Sequence, residues 1–337
     1  MNWLQDTKIM QVDITSYCNA ACGTCARYVP ESDDMHPLME LNHFDVELYE
    51  RLVTHDIKDS NIDSVHFNGN FGDFSMHPHI LDIVEISKKA GLLVEMSTNG
   101  SPRTTKFWHE LAGLLTPYDN VTFCIDGTSQ ESNEKYRRKT VYSKILNNMK
   151  AFNDNGGKGI WTMTVFNHNI NELQEAKTIA ENLGCSRFET RESHEDYIKF
   201  TTHEVFTDLV KDEHIFHETF KRMEYVDVFE NELQKKTPCS FYKRSMIQID
   251  AYGTVWPCCY ISQKSFGIDP IPNEPYAKNK DDIFTDTLKE KFTLHKHTLG
   301  EILTSDFFTK FIPESVDKGS LEVCQNNCGL VPINDLE

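Results

Sequence analysis

Apolar positions in the first half of the chain alternate between two patterns. Short runs rich in Ile, Val, Phe and Met read as strands: Lys8–Ile14 (KIMQVDI), Ser64–Asn68, Leu92–Met96, Val121–Ile125 and Ile160–Val165. Between them lie longer stretches with apolar residues three and four apart, at Leu41–His55, His79–Ala90, Thr104–Leu115, Ser129–Asn155 and Asn171–Leu183, and these predict helices. Gly91 and Gly184 stop two of the helices, and Arg187–Thr190 predicts a sixth strand. Such regular alternation predicts parallel βαβ units, and six of them suit an α/β fold built as a partial (β/α)6 TIM-like barrel. In barrels of this kind the reactive groups collect on the loops that follow the strands.

The pattern breaks after residue 191. Residues 192–238 are rich in His, Glu, Asp and Lys and helical in character, which predicts a linker or insertion. Met246–Asp250, a turn at Ala251-Tyr252-Gly253 and Thr254–Cys258 predict a β-hairpin. Residues 262–297 read as a polar insertion. The predicted organisation is a barrel over 1–191, a helical linker over 192–238 and an α+β extension over 239–337.

Composition narrows the classes. Lys plus Arg is 34 against 52 for Asp plus Glu, a net charge of −18, which repels a phosphate backbone at long range. Nucleic acid is therefore not an expected partner, and the local run Lys135, Arg137, Arg138, Lys139 reads as a solvated helix face apart from Arg137. No apolar run approaches the roughly 20 residues that span a bilayer, and the N-terminus lacks the pattern of a signal peptide, so a cytoplasmic protein is expected.

The ten cysteines carry the chemistry. Cys18, Cys22 and Cys25 form CNAACGTC on the loop after the first strand, and Cys239, Cys258, Cys259, Cys324 and Cys328 lie toward the end. Cys124 and Cys185 stand apart and read as buried free thiols. Three thiolates in one short loop can wrap one face of an iron–sulfur cubane and leave one iron open to a ligand. A zinc knuckle would want a fourth ligand, for which His36 is the nearest candidate.

CxxxCxxC on the loop after the first strand resembles the radical S-adenosylmethionine (SAM) superfamily. The resemblance extends along most of the chain. It implies that Cys18, Cys22 and Cys25 hold a [4Fe–4S] cluster whose open iron binds SAM, and that SAM is cleaved to a 5′-deoxyadenosyl radical. Residues 69–78 (GNFGDFSMHP) resemble the family's GGEP loop, with Gly72 and Asp73 on its Gly-Glu pair. Ser97-Thr98-Asn99-Gly100 resembles the STNG stretch, which implies SAM contacts from Ser97 and Asn99. Asp126-Gly127 resembles the IDG motif, and Arg137 resembles the arginine that meets the SAM carboxylate. Val165, ending the fifth strand, is a candidate for packing on adenine. Thr24 departs from the aromatic residue common before the third cysteine.

Cys239, then Gly253 in a hairpin turn, then Cys258 resembles the opening of the SPASM and twitch extensions of this family. Five cysteines suffice for one further cluster but not for the two of a full SPASM domain. The twitch-like assignment takes Cys239, Cys258, Cys324 and Cys328 as ligands, with Cys259 able to replace Cys258. A four-cysteine zinc site is the alternative reading of the same residues. The cofactors implied are two [4Fe–4S] clusters and SAM. The expected activity is a radical SAM oxidoreductase that oxidises a small sugar-like molecule through the auxiliary cluster, as a dehydrogenase does. A peptide-modifying enzyme that crosslinks or epimerises its substrate is the first alternative. A catalytically idle metal-binding interaction protein is the second. Expected partners are a small-molecule or peptide substrate and an electron donor such as flavodoxin or ferredoxin.

Overall fold

The computed structural model describes residues 2–29, 34–192, 235–236, 239–265, 286–328 and 331–332. Six strands, β1 (Ile9–Val12), β2 (Ser64–Phe67), β3 (Leu93–Thr98), β4 (Asn120–Cys124), β5 (Gly159–Val165) and β6 (Arg187–Glu192), pair in parallel in sequence order. Helices Ile80–Lys89, Thr105–Leu114, Tyr142–Asp154 and Leu173–Asn182 connect successive strands. This is the α/β architecture of a partial TIM-like barrel, as expected from the alternation. A separate antiparallel pair joins β7 (Lys235–Lys236) to β10 (Val331–Pro332). Among the described residues no helix is long and apolar enough to cross a membrane.

The sheet does not stop at β1. The hairpin β8 (Met246–Ile249) and β9 (Val255–Trp256) adds to its far edge, with β8 parallel to β1 in the register Ile9↔Met246 through Val12↔Ile249. One sheet of eight strands thus runs from the barrel into the C-terminal extension. The hairpin turn needs Gly253, whose φ is 79°, and Asp250 caps it by accepting the N–H groups of Tyr252 and Thr254.

Partners across a parallel ladder share a face, and the two faces differ sharply. Met10, Val12, Val65, Phe67, Val94, Met96, Val121, Phe123, Trp161 and Met163 are all buried on one side and pack under the helices with Trp108 and Phe152. The opposite, inner side carries Gln11, His66, Glu95, Thr122, Thr162 and Gln248. The fold is held by its outer layer, while the inner side is lined by hydrogen-bonding groups.

Three expectations need correction. The helix expected over Leu41–His55 begins only at Val46, because residues before it bond back to the first strand's loop through Ser16 N–H to the Asn42 carbonyl and Phe44 N–H to the Ile14 carbonyl. Asp45 then caps the helix from Leu48 N–H at 2.7 Å. The helical region Ser129–Asn155 is two helices, Gln130–Glu134 and Tyr142–Asp154. Between them Lys139 turns left-handed (φ 63°) and Thr140 Oγ1 donates to the Arg137 carbonyl at 2.6 Å. The stretch read as a polar insertion, 262–297, ends in core: Phe292 and Leu294 are buried, and the Leu294 N–H donates to the Gly253 carbonyl at 2.8 Å. Residues 193–234 and 266–285, which hold most of the two expected insertions, lie outside the described residues.

Candidate functional site

The loop after β1 carries Cys18, Cys22 and Cys25, all free and half-buried. The segment after β4 straps it in place. Ala21 N–H donates to the Arg138 carbonyl (2.9 Å), Gly23 N–H to the Tyr136 carbonyl (3.2 Å), and Arg138 Nε to the Ala21 carbonyl (2.9 Å). Arg27 folds under the loop and donates from Nη1 to the Cys18 carbonyl at 3.2 Å. Thr24 shares a hydrogen bond of 2.8 Å with the Tyr136 hydroxyl. The ring of Tyr136 lies 4.7 Å from that of Phe166.

Glycine is required at position 72 by a close approach. A Cβ there would stand 1.8 Å from the Thr15 carbonyl oxygen, and the next residue, Asp73, donates its N–H to the Tyr17 carbonyl at 2.9 Å. The glycine loop therefore presses on the start of the cysteine loop. Asp73 is buried and fully engaged: Oδ1 accepts from Ser75 N–H and Oγ, Thr98 Oγ1 donates to both oxygens, and Oδ2 accepts from Asn99 N–H and Nδ2. Burial pushes its carboxyl up, against the pull of these donors. His77 is also structural, with Nε2 2.9 Å from the Phe44 carbonyl and Nδ1 accepting the His79 N–H. Burial pushes it down to about 4.

Asn99 reaches from the end of β3 to the first cysteine, with Nδ2 3.7 Å from Cys18 Sγ and 2.9 Å from Asn19 Oδ1. Ser97 sits on the inner face of β3, opposite Thr122. Asp126, buried at the end of β4, accepts Thr164 N–H on Oδ1 (2.6 Å) and Arg137 Nε on Oδ2 (2.5 Å). Arg137 Nη1 then lies 3.6 Å from Cys22 Sγ. Val165 is buried at the end of β5, next to Phe166, whose ring stacks on His168 at 5.3 Å. Gly72, Asp73, Asn99, Asp126 and Arg137 thus gather around one cysteine loop, while Ser97 and Val165 stand on strands β3 and β5. Tyr136, Phe166, His168 and Asn133, whose Oδ1 accepts the Asp126 N–H, were not singled out, although each adjoins or faces a residue that was.

Burial pushes Cys18 up to about 12 and Cys25 up to about 11, so without metal both are neutral thiols. Cys18 already receives the Ala20 N–H at 3.4 Å, besides the Asn99 donor. Buried sulfur atoms ringed by N–H donors fit the thiolate ligands of an iron–sulfur cluster, whose charge such donors stabilise. His36, the nearest candidate for a zinc ligand, uses Nδ1 to accept the Leu38 N–H at 3.2 Å.

The second cysteine group lies beside the hairpin. Cys239 precedes the short helix Ser240–Lys243, and Cys258 follows β9 at the start of the helix Cys259–Ser265. Cys324 and Cys328 stand one turn apart on the helix Glu322–Cys328, so the CxxxC spacing presents both on one face. Cys258 is in the electrostatic reach of Cys239 and Cys324, and Cys324 of Cys239 and Cys328. Cys259 is in the electrostatic reach of Cys258, Asp13 and Cys328, and so adjoins the same group. Cys124 lies on the inner face of β4 in the electrostatic reach of Arg137 and Asp126, and Cys185 receives Asn153 Nδ2 at 3.7 Å among the helices.

Comparison with known proteins accords with this geometry. Residues 12–181 match the radical SAM superfamily model, and residues 239–329 match the SPASM iron–sulfur cluster-binding domain. A tungsten-containing aldehyde ferredoxin oxidoreductase cofactor-modifying protein of Pyrococcus furiosus is 29% identical over 119 residues, 35% of this chain and 31% of that protein. The chain thus spans about a third of that curated relative's length. In fold it is similar to Streptococcus suis SuiB bound to its precursor peptide SuiA (TM-score 0.54, 14% identity, 96% of this chain, 77% of that one). It is also similar to anSMEcpe with bound AdoMet (TM-score 0.56, 14% identity, 92% and 84%). With both domains matched in sequence order, this chain belongs to the radical SAM superfamily and carries a C-terminal iron–sulfur cluster-binding SPASM domain.

Proposed function

We propose that this chain oxidises a polar, hydroxyl-bearing substrate by radical SAM chemistry, with one auxiliary [4Fe–4S] cluster as the electron acceptor. Cys18, Cys22 and Cys25 would hold the SAM-binding cluster, and Cys239, Cys258, Cys324 and Cys328 the auxiliary one. Bound there, the SAM-binding cluster supplies the electron that cleaves SAM to the 5′-deoxyadenosyl radical. Gly72, Ser97 and Asn99 would hold SAM, with Val165 and Phe166 available to pack on its adenine. An electron donor such as flavodoxin or ferredoxin would reduce the SAM-binding cluster.

The observation that carries this reading is the pairing of β8 with β1. It sets the hairpin that leads to Cys258 directly beside the strand that leads to Cys18, on a sheet whose inner face is polar. Gln11, His66, Glu95, Thr122, Thr162 and Gln248 offer donors and acceptors suited to a sugar-like alcohol rather than an apolar chain. A peptide substrate is the second reading, favoured by the likeness in fold to SuiB with its bound peptide over nearly the whole chain.

Anaerobic reconstitution tests the proposal. Wild type should hold two clusters' worth of iron and form 5′-deoxyadenosine from SAM under reduction, and Cys22→Ser should form none. Equal 5′-deoxyadenosine from both would sink the enzyme reading. Iron for a single cluster, retained in a Cys239→Ser variant, would remove the auxiliary cluster from the scheme. Incubation with an aminocyclitol or with a serine-containing peptide, read by mass loss of two hydrogens, separates the two substrate readings.

A further inference from the structure

The two buried carboxylates of the site do the same thing on opposite sides of the cysteine loop. Asp73 Oδ2 accepts both the backbone N–H and the Nδ2 of Asn99 at 2.8 Å, and that Nδ2 lies 3.7 Å from Cys18 Sγ. Asp126 Oδ2 accepts Arg137 Nε at 2.5 Å and leaves Nη1 3.6 Å from Cys22 Sγ. In each pair a carboxylate with no exposure to spare fixes an N–H donor against a cysteine sulfur. Burial works against the Arg137 charge, but Asp126 beside it keeps the guanidinium protonated.

We infer that Asp73–Asn99 and Asp126–Arg137 are positioning pairs that set the reduction potential of the cluster held by Cys18, Cys22 and Cys25. This rests on the cluster assignment made above. Reduction adds one negative charge, which spreads onto the cysteine sulfurs. Donors and a fixed positive charge at those sulfurs stabilise the reduced form more than the oxidised form, and so raise the potential. Ser75, Thr98 and Asn99 already use both oxygens of Asp73. Its work is to hold Asn99 in place.

The test is a redox titration followed by electron paramagnetic resonance on the reconstituted full chain without SAM. Leaving SAM out removes any effect of Asn99 or Arg137 on SAM binding. In Arg137→Gln and Asn99→Ala the midpoint of the SAM-binding cluster should fall, with the larger fall in Arg137→Gln. The expected change for Arg137→Gln is at least tenfold in the reduction equilibrium, which is about 59 mV for one electron. The auxiliary cluster should not move and serves as the internal reference. Arg137→Lys keeps the charge without the fork and should recover part of the loss. Adding Asp126→Asn to Arg137→Gln should lower the midpoint no further, since the carboxylate acts through the arginine.

Midpoints equal to wild type in both single variants, or an equal shift of both clusters, would overturn the inference. If Arg137→Gln fails to load iron, Arg137→Lys and Asn99→Ala carry the same measurement. A wild-type chain that loads no cluster at the first cysteine group would instead refute the assignment on which the inference stands.

Discussion

The N–H of Asp13 donates to the carbonyl of Ile249 at 2.8 Å, continuing the β1–β8 ladder one step past the end of β1. At this step the loop carrying Cys18 and the turn leading to Cys258 diverge. The Asp13 side chain is buried there, with Oδ1 accepting the Asn70 N–H at 3.0 Å and Asp250 and Gln248 alongside.

Burial pushes the Asp13 carboxyl up to about 7, with Asp250 adding and the Asn70 and Gln248 donors opposing. The folded value lies above the unfolded one, so the folded chain holds this proton more tightly. Stability is therefore lost as pH rises from 3.8 toward about 7, by an amount on the order of 4 kcal/mol at most. Asp13→Asn should abolish the loss. In thermal melts its Tm should gain on wild type between about pH 4 and pH 7 and run parallel to it above. A constant gap across that range would mean that Asp13 does not titrate there.

Gly72→Ala places a methyl group on the Thr15 carbonyl, and the glycine loop must move away from the cysteine loop. The expected cost is about 3 kcal/mol in denaturant unfolding. Iron at the first cysteine group should fall while the auxiliary cluster is retained. Full retention of both would show that the loop yields without disturbing the cysteines.

Cys258 and Cys259 are neighbours in sequence with different surroundings. Cys258→Ser should lose one cluster's iron and its visible absorption, whereas Cys259→Ser should keep both. The reverse outcome would exchange their roles.

Gly253 holds the hairpin turn with φ 79°, and an added Cβ would come 2.9 Å from Leu48 Cδ2. Gly253→Ala should lower stability by about 1–2 kcal/mol, the usual cost of a left-handed conformation with a side chain. Urea unfolding of the reconstituted chain would measure it, and an unchanged midpoint would mean that the turn relaxes.

The barrel was legible because strand and helix periods alternate cleanly, and each expected strand recurs within a few residues of its observed bounds, as with Ile160–Val165 and Gly159–Val165. The two domains were legible because CxxxCxxC after the first strand and the later cysteines around Gly253 resemble known motifs of the family. The edge-to-edge pairing of Met246–Ile249 with Ile9–Val12 was not, because local periodicity says nothing about which distant strand lies next to which. Likewise, the left-handed Lys139 that splits one expected helix has no turn residue to mark it. The Asp73–Asn99 and Asp126–Arg137 bonds were hidden for a related reason. Each partner was selected for SAM, and only coordinates show that the carboxylates face the neighbouring donors instead.

The two-sided sheet separates what the chain must conserve to fold from what it can change to work. Met10, Val65, Val94, Val121 and Trp161 carry the apolar packing on one side, so exchanges at the half-exposed Gln11, His66 or Glu95 on the other leave that packing intact. A scaffold built this way can acquire a new specificity through a handful of side chains, with the cluster-bearing loops left as they are.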